Sequence, residues 1–219
     1  MGAMLAALLF LGALVQPAAN TLVDRFLIPD TAPLTSYRAV RHLHASTRSG
    51  KFSADMEVVT SLDPEHGFSF EIISQSGSAL VRRRVLLEAL QTEQRMVSGQ
   101  ASRETALTRA NYEFLNVADA EADGPALSVR ARRKSPMLVN GTLFLDDDAA
   151  LTRLEGELAE KPSFWTRRVQ VIRRYDHIAG VHVPVEMASV ADIRIVGASN
   201  FQMSYRYLEV NGQQVEPRQ

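Results

Sequence analysis

The strongest constraint on the fold of this chain is a strict alternation of apolar and polar residues near its end. The apolar positions are every second residue, namely Phe201, Met203, Tyr205 and Tyr207. Gln, Ser and Arg fill the positions between them. Because successive side chains of a strand project to opposite faces, this pattern predicts a strand with one apolar face. Most of the chain repeats the pattern, so the sequence predicts a mainly β protein.

The predicted strands are separated by short turn sequences rich in Gly, Pro, Asp and Ser. They are Ser36–Thr47, Lys51–Leu62, Gly67–Ser74, Tyr112–Val117, Ala126–Arg132, Leu138–Leu145, Ala150–Ala159, Ser163–Tyr175, Val181–Val196 and Ser199–Val210. Loops this short cannot form parallel crossovers, so we expect antiparallel pairing. A sheet of this many strands is too large to stay flat and must curl. Pro184 lies inside one predicted strand and indicates an edge position or a bulge there.

One segment, Ser78–Val97, predicts a helix. It contains no Gly or Pro, is rich in Leu, Arg, Glu and Gln, and ends at Ser98-Gly99. Its broad apolar arc indicates that it lies across the sheet. A shorter helical stretch is predicted within Thr21–Ile28. The predicted fold is therefore β-dominated α+β: a large curled antiparallel sheet that forms an unclosed β-barrel, capped by one main helix.

The first residues of the chain differ from the rest. Residues 1–15 are almost wholly apolar, Gln16-Pro17 interrupts them, and two small residues follow. This pattern predicts a signal peptide over residues 1–19, or an uncleaved anchor, since no Lys or Arg precedes the apolar stretch. We expect residues 20–219 to form a single domain. The chain has no cysteine, so an exported form must gain its stability from the core alone. A bacterial periplasm is then the expected location.

No pattern in the sequence predicts catalysis, a metal or a cofactor. His42 and His44 would share one strand face, but no third ligand is evident, and we interpret them as part of an exposed polar face. Residues 146–148 are three aspartates without the spacing of a calcium loop, so they predict a charged turn. Nucleophile-elbow and phosphate-loop motifs are missing from the sequence. With 24 Lys and Arg against 25 Asp and Glu, nucleic acid is not an expected partner.

The order of elements resembles that of a known superfamily. A signal, three strands, a helix and a second run of strands occur together with the segments Gly141–Asp146, Leu154–Gly156 and Pro162–Phe164. In this it resembles the periplasmic lipoprotein carriers, the LolA-like and LolB-like proteins. The resemblance implies an unclosed barrel whose apolar cavity accepts acyl chains. The amino-terminal helix is shorter than in those carriers, and their cavity arginine is left unassigned because Arg38 and Arg41 point to opposite faces.

These features together predict a non-enzymatic periplasmic carrier for a lipid acyl chain or a lipoprotein, with at most transient membrane contact. The predicted cavity residues are Met56, Val58, Phe68, Phe70, Ile72, Trp165, Val169, Val171, Phe201, Met203, Tyr205 and Tyr207. Met adapts to varied apolar ligands, and Tyr suits the border between a cavity and water. The alternative is a protein-docking or envelope-stress sensor module with a filled core. Such a module would contact an envelope protein through the main helix or the strand that contains Pro184.

Overall fold

The structure is a computed structural model that describes residues 21–28, 32–48, 50–97, 100–116, 124–194 and 197–216. The predicted signal segment, residues 1–19, lies outside the described residues.

In these described ranges, eleven strands form one antiparallel sheet, which confirms the prediction of a mainly β fold. The strands are β1 Tyr37–Thr47, β2 Phe52–Asp63, β3 Gly67–Gly77, β4 Tyr112–Asn116, β5 Ala126–Ala131, β6 Val139–Leu145, β7 Leu151–Leu158, β8 Thr166–Ile178, β9 Val181–Ile193, β10 Gly197–Val210 and β11 Gln213–Gln214. Their order across the sheet is β3-β2-β1-β10-β9-β8-β7-β6-β5-β4, and β11 pairs with β10.

The sheet is not closed, because its edge strands β3 and β4 do not pair with each other in the described part of the chain. These two edges are consecutive in sequence. The segment that joins them contains the main helix, α2, which spans residues 79–96 and includes a π-helical stretch, Arg82–Leu87. Helix α2 contacts β1, β2 and β3. The predicted unclosed barrel with one main helix is therefore confirmed.

Two short helices complete the described structure. Helix α1, Leu22–Leu27, begins at a capping box in which Thr21 and Asp24 hydrogen-bond each other's backbone and side chain. Helix α3, Gln100–Thr105, follows α2. Helix α1 packs near the β4 edge of the sheet, whereas α2 packs near the other edge, over β1–β3.

The strand that contains Pro184 is interior, since β9 lies between β10 and β8. Strand β9 is thus not an edge strand, although its ladder with β10 ends at the pair Glu186 and Ser204, and Pro184 lies beyond that end. The alternative of a bulge is correct. The register of β8 against β9 shifts beside the pair Tyr175 and Pro184. The carbonyl of Pro184 accepts a hydrogen bond from Tyr207 Oη at 2.9 Å, so the bulge is held by a side chain of β10.

The core of the sheet is divided into two parts. The first, which we call the α2 flank, comprises β1–β3, β10 and helix α2, with fully buried Leu43, Val58 and Leu86. The second, the α1 flank, comprises β4–β7 and helix α1, with fully buried Leu127 and Leu143. Strands β8 and β9 lie between the flanks, so the middle of the inner face is where the two cores meet.

Candidate ligand cavity

A cavity of about 780 Å³ lies between helix α2 and the middle of the inner face. Its lining is mostly apolar and includes Leu62, Val85, Ala89, Met96, Val97, Leu158, Pro162, Pro184, Met187, Phe201, Met203 and Tyr205. Polar groups at its wall include Ser189, Arg173 and Glu93. This volume falls within the usual range of small-molecule sites, roughly 300–1,000 Å³. A second hollow of similar volume over β7 and β8 is lined largely by polar and charged side chains.

Helix α2 is joined to the sheet by an ion pair. Arg41 of β1 is only 1% exposed and projects from the inner face toward the helix. Its Nη1 donates to Glu93 Oε2 at 2.6 Å, and its Nη2 donates to Glu93 Oε1 at 2.9 Å. Two parallel bonds of this kind fix both the distance and the orientation of the partners. The pair therefore sets how far the helix stands from the sheet.

Aromatic rings surround the guanidinium of Arg41. Its central carbon lies 4.4 Å from the ring centroid of Tyr205 and 5.2 Å from that of Phe68. Its Nη2 also donates to Tyr37 Oη. Such cation–π contacts stabilise a cation that has lost its water. In the described residues, Arg41 Nε has no hydrogen-bond partner.

Burial and these contacts shift the ionisation of the cluster. Burial lowers the pKa of Arg41, but its hydrogen bonds to Glu93 and the nearby Tyr205 outweigh that effect and hold the pKa above its usual value. Burial raises the pKa of Tyr37 to about 12. Burial likewise raises the pKa of Tyr205 and of Tyr207 well above the usual phenol value. Arg41 is therefore a cation, and the three phenols are neutral, at neutral pH.

The structure places the predicted cavity residues in three environments. Phe201, Met203 and Tyr205 line the cavity. Others are buried or half-buried around it in the core and the inner face: Met56, Val58, Phe68, Phe70, Val169, Val171 and Tyr207. Ile72 and Trp165 belong to neither group, since both are exposed.

Ile72 pairs with Val58 in register, yet it lies on the edge strand β3 and is 37% exposed. Trp165 is 53% exposed because β8 begins at Thr166, so the tryptophan lies in the loop before the strand. Its ring contacts Phe164 edge-on, with centroids 5.5 Å apart. The sequence predicted a strand from Ser163 onward, and this wrong start explains the misplaced tryptophan.

Most of the cavity lining was not predicted, including Glu93, Arg173 and Met187, and neither was the adjacent Arg41. Their strand positions did carry a signal. Arg173 follows Val169 and Val171 at a spacing of two, and Arg41 precedes Leu43 in the same way, so alternation places both arginines on the inner face. Glu93 had no such signal, because its position depends on how the helix crosses the sheet.

The two histidines on β1 lie away from the cavity. His42 Nε2 is 3.5 Å from Glu57 Oε1, and His44 Nδ1 is 2.8 Å from Asp55 Oδ1. Across the described ranges, no three His, Asp or Glu side chains are grouped so that they could hold a metal ion. Helices of the length and apolarity needed to span a bilayer are also missing from the part of the chain that was searched, the described residues.

Comparisons with known proteins give little further information. No protein-family model matches the chain, and no curated protein matches it. The chain is similar to a solved structure of a DUF1329 family protein from Desulfovibrio piger, with 9% sequence identity and a TM-score of 0.38. That match covers 84% of this chain and 88% of the other. A likeness this distant carries no argument about function.

Proposed function

We propose that this protein binds the acyl chain of a lipid or a lipoprotein in the cavity beneath helix α2, and carries it through the bacterial periplasm. The observation that carries the proposal is a mostly apolar cavity of about 780 Å³ inside a sheet whose flanks are otherwise closely packed. The resemblance of the sequence to the lipoprotein carriers supports it. The apolar start of the chain supports export.

An acyl chain suits this cavity energetically. Burial of apolar surface contributes about 0.8 kcal/mol per methylene, so a dozen methylenes contribute about 10 kcal/mol before the costs of association. Met96 on the helix faces the cavity together with Met187 and Met203 on the sheet. Thioether side chains adapt their shape to a flexible ligand at small cost.

The proposal is one of binding without catalysis or a cofactor. The two carboxylates at the cavity wall are both engaged in ion pairs, Glu93 with Arg41 and Glu88 with Arg95. Because each carboxylate is bound by an arginine, neither is free to act on a ligand. The wall is therefore suited to holding a ligand.

The alternative of a docking module finds less support. It requires a filled interior, and one of its two proposed contact surfaces, the strand that contains Pro184, is interior. One observation favours some surface contact: Phe164 and Trp165 are exposed beside Pro162, which lines the cavity. Exposed aromatic rings at a cavity mouth suit a transient contact with a membrane or with an envelope protein.

Two substitutions on adjacent residues of β9 test the proposal. Ser189 lines the cavity, whereas Val190 is exposed on the opposite face. We expect Ser189→Phe to fill the cavity and to abolish uptake of a fluorescent fatty acid, while Val190→Phe leaves uptake unchanged. Native mass spectrometry after gentle purification should show a bound lipid in the wild type. A wild-type protein with no bound lipid and no uptake would overturn the proposal.

A further inference from the structure

A second arginine, Arg173, lies at the centre of the inner face. It belongs to β8, the sixth strand in the order across the sheet, and it lines the cavity. Its neighbours in register are apolar: Met187 on β9 and Leu154 on β7. Its Nη2 lies 3.8 Å from Met187 Sδ, which is a weak acceptor. The charge of Arg173 is compensated only in part, by the phenol of Tyr175 and by Glu93, a carboxylate that already pairs with Arg41.

Arg173 differs from the other arginines nearby. Four arginines of β7 and β8 each have a carboxylate within 3.7 Å, as the pairs Arg153–Glu155, Arg167–Asp192, Arg168–Glu157 and Arg174–Glu186 show. Arg84, the other arginine of the cavity lining, is exposed on helix α2. Within the described part of the chain, no Asp or Glu forms such a pair with Arg173. Glu93, a carboxylate of the same cavity wall, is occupied by Arg41.

Arg173 remains charged in this setting. Burial lowers the pKa of its guanidinium, but the neighbouring Tyr175, which also hydrogen-bonds it, together with Tyr205 and Glu93 outweighs burial and holds the pKa above its usual value. A half-buried cation that must share its carboxylate neighbour with a second arginine is costly in an apolar environment, and an anion that arrives with a ligand offsets that cost. A guanidinium also offers two parallel N–H groups that match the oxygens of a carboxylate or a phosphate.

We propose that the cavity accepts an amphiphile with one anionic headgroup, a carboxylate or a phosphate monoester, which Arg173 binds while the hydrocarbon tail lies between Phe201, Met203 and helix α2. This inference rests on the proposed function, since it requires that the cavity hold an acyl chain. It adds that the cavity selects its ligand by charge, and that the headgroup enters toward the centre of the sheet.

The test compares the binding of amphiphiles that share the same hydrocarbon tail and differ in their headgroup. Isothermal titration of the full chain would use dodecanoate, dodecyl phosphate and dodecyltrimethylammonium below their micelle concentrations, and dodecanol below its solubility limit. We expect the wild type to bind the two anions tightly, dodecanol more weakly and the cation least. The relative affinities of dodecanoate and dodecyl phosphate show which anion the site prefers.

Two arginine variants provide the matched comparison. Arg173→Met keeps an unbranched apolar side chain and removes the charge. We expect it to weaken dodecanoate binding about ten- to hundredfold, the usual effect of losing a charged hydrogen bond, and to leave dodecanol binding unchanged. Arg174→Gln changes the next residue, which is exposed and pairs with Glu186, and we expect it to alter neither ligand.

The possible failures are distinguishable. If dodecanol binds as tightly as dodecanoate, or if the cation binds best, the inference about charge is overturned and the proposed function stands. If none of the four amphiphiles binds, both are overturned. If Arg173→Met does not fold, the headgroup series on the wild type decides the inference by itself.

Discussion

The two flanks of the sheet cover their apolar faces in different ways. On the α1 flank, aliphatic side chains such as Leu127, Leu138 and Leu143 fill the space, and a six-residue helix closes it. On the α2 flank, a long helix is held by the Arg41–Glu93 ion pair and leaves a cavity beside it. The difference teaches that close packing of aliphatic side chains fills the α1 flank, whereas on the α2 flank a buried ion pair, which we call the tether, fixes the helix at a distance from the sheet and leaves the cavity open.

The largest effect should come from the solid flank. Leu143 is fully buried between β5 and β7. We expect Leu143→Ala to lower the free energy of unfolding by about 4 kcal/mol, because it removes buried methyl groups and leaves a void that rigid neighbours cannot fill. Urea unfolding monitored by circular dichroism measures it. A loss below about 1 kcal/mol would mean that the α1 flank is not closely packed.

The next effect concerns the tether. We expect Glu93→Gln to lower the free energy of unfolding by about 3 kcal/mol, since Arg41 is then buried without a counter-charge. Amide hydrogen exchange should rise in helix α2 and stay unchanged in β4–β7. Glu88→Gln is the control, because Glu88 pairs with Arg95 in an exposed setting. Equal effects of the two variants would contradict the role assigned to the Arg41–Glu93 pair.

Alkaline pH should weaken the α2 flank. A phenol whose pKa is raised on folding stabilises the folded state fully below its unfolded pKa, near 10, and that contribution is lost as the pH rises through the folded value. For Tyr37, whose folded pKa is about 12, the loss begins above pH 10 and ends near 12. We expect it to reach about 1 kcal/mol by pH 11, seen as a falling urea midpoint. Tyr37→Phe should lessen the fall and Tyr112→Phe should preserve most of it.

The smallest change in stability should come from the cavity itself. Phe201 is half-buried and faces the hollow, so Phe201→Ala removes few close contacts. We expect a loss of no more than about 1 kcal/mol, well below the cost of the same change in a packed core, together with altered affinity for dodecanoate. A loss of about 3 kcal/mol or more would show that the cavity is filled and that the two flanks are alike.

Strand alternation was enough to predict the sheet, because each strand is half-buried and its two faces differ in polarity. The boundaries of β10 and of helix α2 were predicted within two residues. The start of β8 was not, since Phe164 and Trp165 are apolar and extend the pattern into a loop. Apolar residues in exposed loops cannot be told from strand residues by periodicity alone.

The cavity was predicted in part. Phe201, Met203 and Tyr205 follow from the alternation of side chains along β10. The same alternation along β1 and β8 places Arg41 and Arg173 on the inner face, although neither arginine was assigned to the cavity. The cavity residues on helix α2 could not be predicted. The way in which α2 crosses the sheet depends on side chains far apart in sequence, such as Arg41 and Glu93. Whether a face is filled or hollow is likewise decided by how elements pack together.

The pairing of β1 with β10 has a consequence for how the chain acquires its shape. Tyr37 lies opposite Val210, so β1, which pairs with β2 on one side, meets its second partner only when nearly all of the chain is present. The run from β4 to β10, in contrast, joins neighbours in sequence. Local pairings form quickly and distant ones slowly, so the cavity beneath helix α2 should be the last part to assemble. Loss of β10 should therefore leave β1–β3 and β4–β9 as two separate meanders with no cavity between them.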